Sequence, residues 1–208
     1  MDNFLNILKS RFGLNEAILL KEILQCFPDV AENTTYRRMK KALEEKTLIK
    51  AKKGVYYIPT TTRFGLSTLS DATVIRKKYV ADEDGVFGYY AGLMLENRLG
   101  VSNQIPGKLE IVTNKETNRS RRIQGFGGYK EIVLRKPRVP VNTDNVEALE
   151  FLDLITNTSI SELDSNELAS LKKCAKKITR SKLVKYTQYY PQKTAQKLIE
   201  SEAAGVFT

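Results

Sequence analysis

The spacing of apolar positions in residues 1–60 predicts three helices followed by a β-hairpin. Near the N-terminus, apolar side chains recur every three or four residues, at Phe4, Ile7, Leu8 and Phe12. A second apolar-striped run covers residues 17–27. Asn33 is placed to cap a third helix over TTYRRMKKALEEK, and the alternation of IKAKKGVYYIP around Lys53 and Gly54 is typical of a hairpin. This order of elements predicts a winged helix-turn-helix.

Two further helices and a small sheet are predicted after residue 60. Ser70 is placed to cap a helix that runs to about Tyr79, and residues 86–98 form the next helix, on which Gly88 and Gly92 share a face. Three strands follow, at Leu109 to Thr113, Arg121 to Gln124 and Lys130 to Arg135. The last two strands pair across GFGG, which lacks the GxxxxGK[ST] spacing of a phosphate-binding loop.

The sequence pattern of the C-terminal part predicts three helices. Asp144 is placed to cap the first, with Glu147 completing a capping box, and residues 161–178 form the second. The apolar stripes of these two helices comprise Val146, Leu149, Leu152 and Ile155, and then Leu168, Leu171, Ala175 and Ile178. Pro191 is placed as the first residue of a last helix that ends before Gly205.

Together these elements predict an α+β protein with two domains. We expect a winged helix-turn-helix at residues 1–60, and a mixed α/β domain with a small β-sheet and C-terminal helices at residues 61–208. No apolar run approaches the roughly 18 residues that cross a bilayer, and the N-terminus lacks the layout of a signal peptide. With only Cys26 and Cys174, reduced thiols are expected. These features favour a cytoplasmic protein with no membrane partner.

The charge balance points to a polyanionic partner, and the third helix is the strongest candidate to contact it. The chain has 34 Lys and Arg against 24 Asp and Glu, a formal net charge of +10. If Thr34 opens the third helix, Tyr36, Met39 and Leu43 share the packed face. The candidate DNA-binding residues are Thr34, Thr35, Arg37, Arg38 and Lys41 on the helix and Lys50, Lys52 and Lys53 on the hairpin. The alternative is a solvated helix with scattered charge.

A second basic cluster lies near the C-terminus. Its members project away from the apolar stripe of the helix at residues 161–178, at Lys172, Lys173, Lys176, Lys177 and Arg180. Like charges on one helix face repel, and glutamates are not interspersed among them, so this face is a possible second surface for nucleic acid or a partner. An ordinary solvated face is the alternative.

Enzymatic activity is disfavoured by the residue types present. Histidine, the commonest general base, does not occur, and two cysteines alone do not supply the four ligands of a zinc site. We therefore expect no catalytic centre, no metal and no cofactor. A metal-dependent nuclease that uses carboxylates of the central domain remains the alternative, although Glu96, Glu110 and Glu131 are scattered in the sequence.

Three segments resemble the AbiEi family of bacterial antitoxin-regulators, in its compact branch. These segments are VYYIPTTTRFGLSTLS, GVFGYYAGLMLENRLGVSNQIPGKLEIVTNK and IVLRKPRVPVNTDNVEALEFLDLI, and the resemblance extends from about Leu14 to Ala195. Within them GYYAGL, LGVSNQIP and EIVTNK are the most distinctive motifs.

This resemblance implies an antitoxin of a type IV toxin-antitoxin system. The antitoxin would repress the promoter that it shares with a nucleotidyltransferase-like toxin, by binding double-stranded operator DNA through its winged helix. The C-terminal domain would support repression and oppose the toxin without forming a stable complex with it.

Overall fold

Helices and small β-sheets make up the chain in the computed structural model, which describes residues 2–207. The predicted mixed α+β class is confirmed at this level. Residue contacts divide the chain into two units, Met1–Lys78 and Tyr79–Thr208. The first unit includes residues 61–78, which the sequence analysis assigns to the second domain. Within the described residues, no helix is both long and apolar enough to cross a bilayer.

The first unit combines helices with two small antiparallel sheets. Its helices are α1 (Asp2–Phe12), α2 (Leu20–Gln25), α3 (Glu32–Glu44) and α4 (Asp71–Tyr79), whose last residue belongs to the second unit. Its strands are β1 (Ile18–Leu19), β2 (Ile49–Lys52), β3 (Val55–Tyr57), β4 (Thr61–Thr62) and β5 (Gly65–Leu66). Strand β3 lies between β1 and β2, and β4 pairs with β5. The predicted hairpin around Lys53 and Gly54 is confirmed as β2–β3, with Gly54 at a φ of 74° that favours glycine.

The core of the first unit lies among α1, α2, α3 and the three-stranded sheet. Its buried members include Phe4, Leu8, Ile18, Ile23, Phe27, Met39, Ala42, Leu48 and Tyr56. The rings of Phe4 and Phe27 stack with their centroids 5.0 Å apart. This packing holds the inner face of α3 and leaves its outer face exposed.

Residues 17–27 do not form one continuous helix as predicted. Ile18 and Leu19 form β1 and pair with Tyr56 and Val55 of β3, and α2 begins only at Leu20. The short apolar stretch at the start of this run, residues 17–20, fits a buried strand as well as a helix, so pairing with β3 decides the conformation.

Asn33 does not cap α3. The helix begins at Glu32, and the carbonyl of Ala31 accepts hydrogen bonds from the amides of Thr34 and Thr35. Asn33 therefore lies inside the first turn, one position after the start of the helix.

The second unit is built around a four-stranded sheet. Its strands are β6 (Ala81–Asp82), β7 (Gly85–Val86), β8 (Gly88–Ala91), β9 (Lys108–Thr113), β10 (Ser120–Gln124) and β11 (Glu131–Arg135). Its helices are α5 (Leu93–Arg98), α6 (Val146–Asn157), α7 (Ser165–Ala175), α8 (Arg180–Thr187) and α9 (Gln192–Ala203), with a 3-10 turn at Ile160–Glu162. The large sheet has the order β10-β11-β9-β8, in which β9 and β11 are parallel. The predicted pairing across GFGG is confirmed as the antiparallel β10–β11 hairpin.

A strand replaces most of the helix predicted at residues 86–98. Residues 88–91 form β8, antiparallel to β9, and only residues 93–98 are helical, as α5. A Cβ on Gly88 would lie 2.2 Å from the carbonyl oxygen of Tyr79 and 2.6 Å from that of Val112. Gly88 thus admits close backbone approach within a sheet, and it does not share a helix face with Gly92 as predicted.

The C-terminal helices differ from prediction at their ends. Asn145 precedes α6 in place of Asp144, and its side chain accepts a hydrogen bond from the amide of Asn142 at 2.8 Å. The helix predicted over residues 161–178 is shorter, because α7 starts after Asp164 and ends at Ala175. Helix α8 was not predicted, and α9 begins just after Pro191.

The core of the second unit forms where these helices pack against the sheet. Helix α6 supplies many of its buried side chains, among them Ala148, Leu149, Phe151, Leu152 and Ile155. Tyr89, Ala91 and Val112 of the sheet and Leu171, Leu183 and Leu198 of the last three helices belong to the same cluster. This cluster therefore joins α6 and the last three helices to one face of the sheet. Leu109, Ile111, Ile132 and Leu134 of the sheet are buried outside it.

Candidate nucleic-acid interface

Helix α3 has one buried face and one basic face. Thr35, Met39 and Ala42 are 1%, 3% and 2% exposed, at the i, i+4 and i+7 spacing of an inner stripe. Arg37 and Arg38 are exposed. The helix thus presents guanidinium groups on the side opposite its packing contacts.

Two residues of α3 lie on different faces from those predicted. Thr35, a predicted DNA-binding residue, is buried, so its side chain does not reach an outer ligand. Tyr36, predicted to pack inward with Met39, is 41% exposed. Thr34, the other predicted threonine, is half-buried. Compared with the prediction, the exposed face of α3 is therefore rotated about the helix axis by about one residue, so that it includes Tyr36 and not Thr35.

The lysines and the arginines of α3 differ in whether they form ion pairs with acidic side chains. Lys40 lies 4.0 Å from Glu44, and the predicted residue Lys41 lies 3.9 Å from Glu45. Both are exposed i,i+4 pairs, which contribute little and exchange readily for a phosphate partner. Arg37 and Arg38 form no ion pair within residues 2–207, so their charge is available to an outside anion.

The β2–β3 hairpin carries the three predicted lysines on exposed positions. Lys50 and Lys52 alternate on β2 with the less exposed Ile49 and Ala51, and Lys53 lies in the turn. The Lys52 ammonium lies 3.4 Å from an Asp71 carboxylate oxygen. Strand pleating thus puts Lys50 and Lys52 outward, although a register shift between them bends the strand.

Helix α3 and the hairpin are directly joined in the first unit. The amide of Leu48, just before β2, donates to the carbonyl of Ala42 at 3.1 Å, and Leu48 is fully buried. The predicted DNA-binding residues of α3 and those of the hairpin therefore belong to consecutive elements that pack on one core. Among them, Thr35 is buried and does not lie on the surface.

The basic cluster near the C-terminus does not form one helix face. Lys172 and Lys173 lie in the last turn of α7, Lys176 follows that helix, and Lys177 lies in the turn beyond it. Arg180 instead begins α8, where its guanidinium lies 3.0 Å from a Glu202 carboxylate oxygen. The prediction of a continuous five-residue face is wrong because the helix ends at Ala175.

The end of α7 also gives these lysines a local role. Cations in the last turn of a helix interact favourably with the helix dipole and its terminal carbonyl groups. Lys172 is only half-buried and Lys173 is exposed, so both ammonium groups reach solvent beside that helix end. Their position is explained without an outside partner.

The scattered carboxylates of the second unit are mostly engaged with cations. Glu110 lies 2.8 Å from Lys108, and Glu131 lies 3.7 Å from Arg122. Burial raises the pKa of Glu96, with a smaller contribution from the nearby charge of Glu110. Among the residues that the structure describes, no three acidic or cysteine side chains are grouped to hold a metal ion.

Four cations that the sequence analysis did not select line a cavity in the second unit: Arg119, Arg135, Lys136 and Arg138. The run RKPR at the end of β11 was the available signal. The predicted β10–β11 hairpin places Arg119 beside this run, since the amide of Lys136 donates to the carbonyl of Arg119.

Comparison with known proteins does not assign the chain. No protein-family model matches it, and no curated protein matches it significantly.

Proposed function

We propose that this protein is a DNA-binding transcriptional repressor, whose α3 enters the major groove while the β2–β3 hairpin contacts flanking phosphate as a wing. The observation that carries the proposal is that Arg37 and Arg38 lie exposed opposite the buried stripe of α3 and form no ion pair with any described residue. Arginine donates bidentately to guanine in the major groove, and lysine neutralises phosphate.

The order of elements supports this proposal. Helix, strand, two helices and a two-stranded hairpin follow one another from α1 to β3, and β1 pairs with the hairpin. This is the order expected of a winged helix-turn-helix, in which α2 and the turn before α3 would form the first part of the motif. The recognition helix of such a motif lies in the major groove.

We further propose that the DNA is the operator of the protein's own promoter and that the protein is the cytoplasmic antitoxin of a type IV system. This part rests on the three segments that resemble AbiEi antitoxins. The functional partner would be a nucleotidyltransferase-like toxin, with no stable complex required.

The DNA proposal is tested with the full chain and the duplex upstream of its gene. Arg37→Ala or Arg38→Ala should cost about 1–3 kcal/mol on the specific duplex if that arginine reads a base. Lys53→Ala should weaken binding to all sequences about equally and reduce the salt slope by about one unit. Fluorescence anisotropy over a salt series, with specific and random duplexes, measures both effects.

Lys9→Ala is the matched control, because Lys9 is exposed on α1 and lies outside the proposed interface. We expect its affinity to equal that of the wild type. Undetectable binding of the wild type at low salt, or equal losses in the control and the arginine variants, would contradict the proposal.

The antitoxin part is tested in cells. Co-expression with a nucleotidyltransferase-like protein encoded beside this gene should restore growth, and a reporter from the shared promoter should be repressed. An unrelated neighbouring gene, or repression without rescue of growth, would remove the antitoxin role and leave the DNA-binding proposal standing.

A further inference from the structure

A basic cavity of about 540 Å³ opens in the second unit at the carboxyl ends of the parallel strands β9 and β11. Arg135 ends β11 and lies in register with Val112 of β9. The loop from β9 to β10 contributes Thr117 and Arg119, and the segment after β11 contributes Lys136 to Arg138. In sheets with parallel strands, crevices at the carboxyl ends are common ligand sites.

The lining of the cavity is strongly positive. Arg119, Arg135, Lys136 and Arg138 face one carboxylate, that of Asp153. Arg119, Lys136 and Arg138 are exposed and form no ion pair within the described residues. Cations held this close repel one another, and a multiply charged anion between them relieves that repulsion.

Arg135 has hydrogen-bonding capacity that the protein does not use. Its terminal nitrogens lie 3.8 Å from Glu110 and 3.7 Å from Asp153, beyond hydrogen-bonding distance. Its Nε is buried and has no hydrogen-bond partner among the described residues. A buried donor without a partner is costly, and a guanidinium suits a bidentate oxyanion.

The Asp153 carboxylate lies on the inner wall of the cavity and compensates the charge of the surrounding cations only in part. The hydroxyl of Tyr89 donates to its carboxylate at 2.9 Å. Burial raises the pKa of Asp153, and the charge of Arg135 opposes this rise. The Arg138 guanidinium lies 5.0 Å from the centre of the Tyr190 ring, which orients it beside the same wall. The fold therefore fixes the position of the Arg135 and Arg138 guanidinium groups beside this wall.

We propose that this cavity binds a phosphate-bearing ligand of about nucleotide size, with the phosphate between Arg135 and the rim cations Arg119, Lys136 and Arg138. Its volume lies in the range of small-molecule sites. The cavity lies wholly in the second unit, so the proposal does not depend on DNA binding by the first unit.

Isothermal titration calorimetry of the full chain tests this proposal, with inorganic pyrophosphate and ATP as probes. We expect saturable binding at one site. Arg119→Gln and Arg138→Gln, both at exposed positions, should weaken binding about tenfold each. Arg135→Lys keeps the charge but loses the planar fork, and should also weaken binding.

Two further variants separate a site from general positive charge. Arg122→Gln makes the same charge change on β10 outside the cavity, and should leave the Kd unchanged. Asp153→Asn removes the one carboxylate in the lining while its amide oxygen still accepts from Tyr89. It should tighten binding several-fold, a gain that misfolding does not produce.

The source of the phosphate is resolved by competition against bound pyrophosphate. Displacement by a short 5′-phosphorylated RNA, but not by the same RNA with a 5′-hydroxyl, identifies a strand end. Displacement by ATP alone identifies a free nucleotide. No heat of binding at millimolar probe, an equal loss in Arg122→Gln, or weaker binding in Asp153→Asn overturns the proposal.

Discussion

Glu150 shows how one side chain couples the second unit to pH. It lies on α6 beside a small cavity that Cys174 and Lys177 also line. Burial raises the pKa of Glu150 to about 7, with a smaller upward contribution from Glu147, while the charges of Arg98 and Lys177 act in the opposite direction. The folded protein therefore retains this proton where the unfolded chain has lost it.

The sign of the pH effect follows from this difference. Between about pH 4.5 and about pH 7 the folded state binds more protons at Glu150 than the unfolded state does, so stability falls as pH rises through this window. Glu150→Gln should abolish this share of the fall, on the order of 3 kcal/mol, because an amide does not titrate. Urea unfolding at pH 5 and pH 8 measures it. Glu147→Gln, at an exposed neighbour on the same helix, should retain most of the wild-type pH dependence, because the charge of Glu147 makes only a smaller contribution to the raised pKa of Glu150.

Side-chain exposure on α3 was predicted in part from the sequence. Helical periodicity placed Arg37, Arg38 and Lys41 outward correctly. It failed for Thr35 and Tyr36, because hydrophobicity alone assigned the larger ring to the core. A threonine with its hydroxyl close to helix carbonyls packs well in a narrow interface, whereas a tyrosine keeps its polar end in water.

At the scale of elements, short-range turn signals were reliable and helix ends were not. Lys53-Gly54 and GFGG each predicted a hairpin that the structure contains. Residues 88–91 were misassigned because GYYA becomes a strand only through pairing with β9, which lies later in the chain. The predicted β10–β11 hairpin by itself brings Arg119 beside Arg135 and Lys136, so these cavity cations could have been grouped from the sequence. Only the cavity walls at Tyr89, Val112 and Asp153 depend on contacts between distant segments. Local sequence does not encode such long-range contacts directly.

A comparison of Asp164, which caps a helix, with Asp144, which does not, provides a test at the scale of elements. Asp164 caps α7, accepting from the amides of Asn166 and Glu167 at 2.7 and 2.8 Å, and Glu167 bonds back to its amide. Asp164→Ala should therefore destabilise the second unit by about 1 kcal/mol. Asp144→Ala is the control, because Asp144 does not cap α6, and its cost should stay within about 0.5 kcal/mol. Chemical denaturation compares the two; similar losses would refute the assignment of the cap.

At the scale of the whole molecule, the first unit is larger than its apolar pattern indicated. Lys77 of α4 lies 3.0 Å from Glu22 of α2, and their side chains are only 8% and 9% exposed. Asn15 donates to Thr60, and Tyr57 donates to the carbonyl of Ser67. Residues after position 60 thus complete the interior of this unit.

These contacts predict which N-terminal fragment of the chain is stable when it is produced alone. A fragment of residues 1–78 should fold cooperatively, whereas residues 1–60 should be less stable, because they lack α4 and with it Lys77, the ion-pair partner of Glu22. Circular dichroism during urea unfolding of both fragments measures the difference. Lys77→Met in the longer fragment is the matched control and should reproduce much of the loss. Equal stability of the two fragments would show that α4 is dispensable.

The strand order of the large sheet also has a consequence for the time course of folding. The β10–β11 hairpin closes only the segment 125–130, whereas the parallel pairing of β9 with β11 must close the chain from Lys108 to Glu131. Because a shorter loop loses less entropy on closure, the hairpin should form early and dock on β9 as a preformed piece. The hairpin alone brings Arg119 beside Arg135 and Lys136, and docking then adds the β9 wall of the cavity at Val112. An anion bound there would slow unfolding more than it speeds folding, and would lengthen the lifetime of the native sheet.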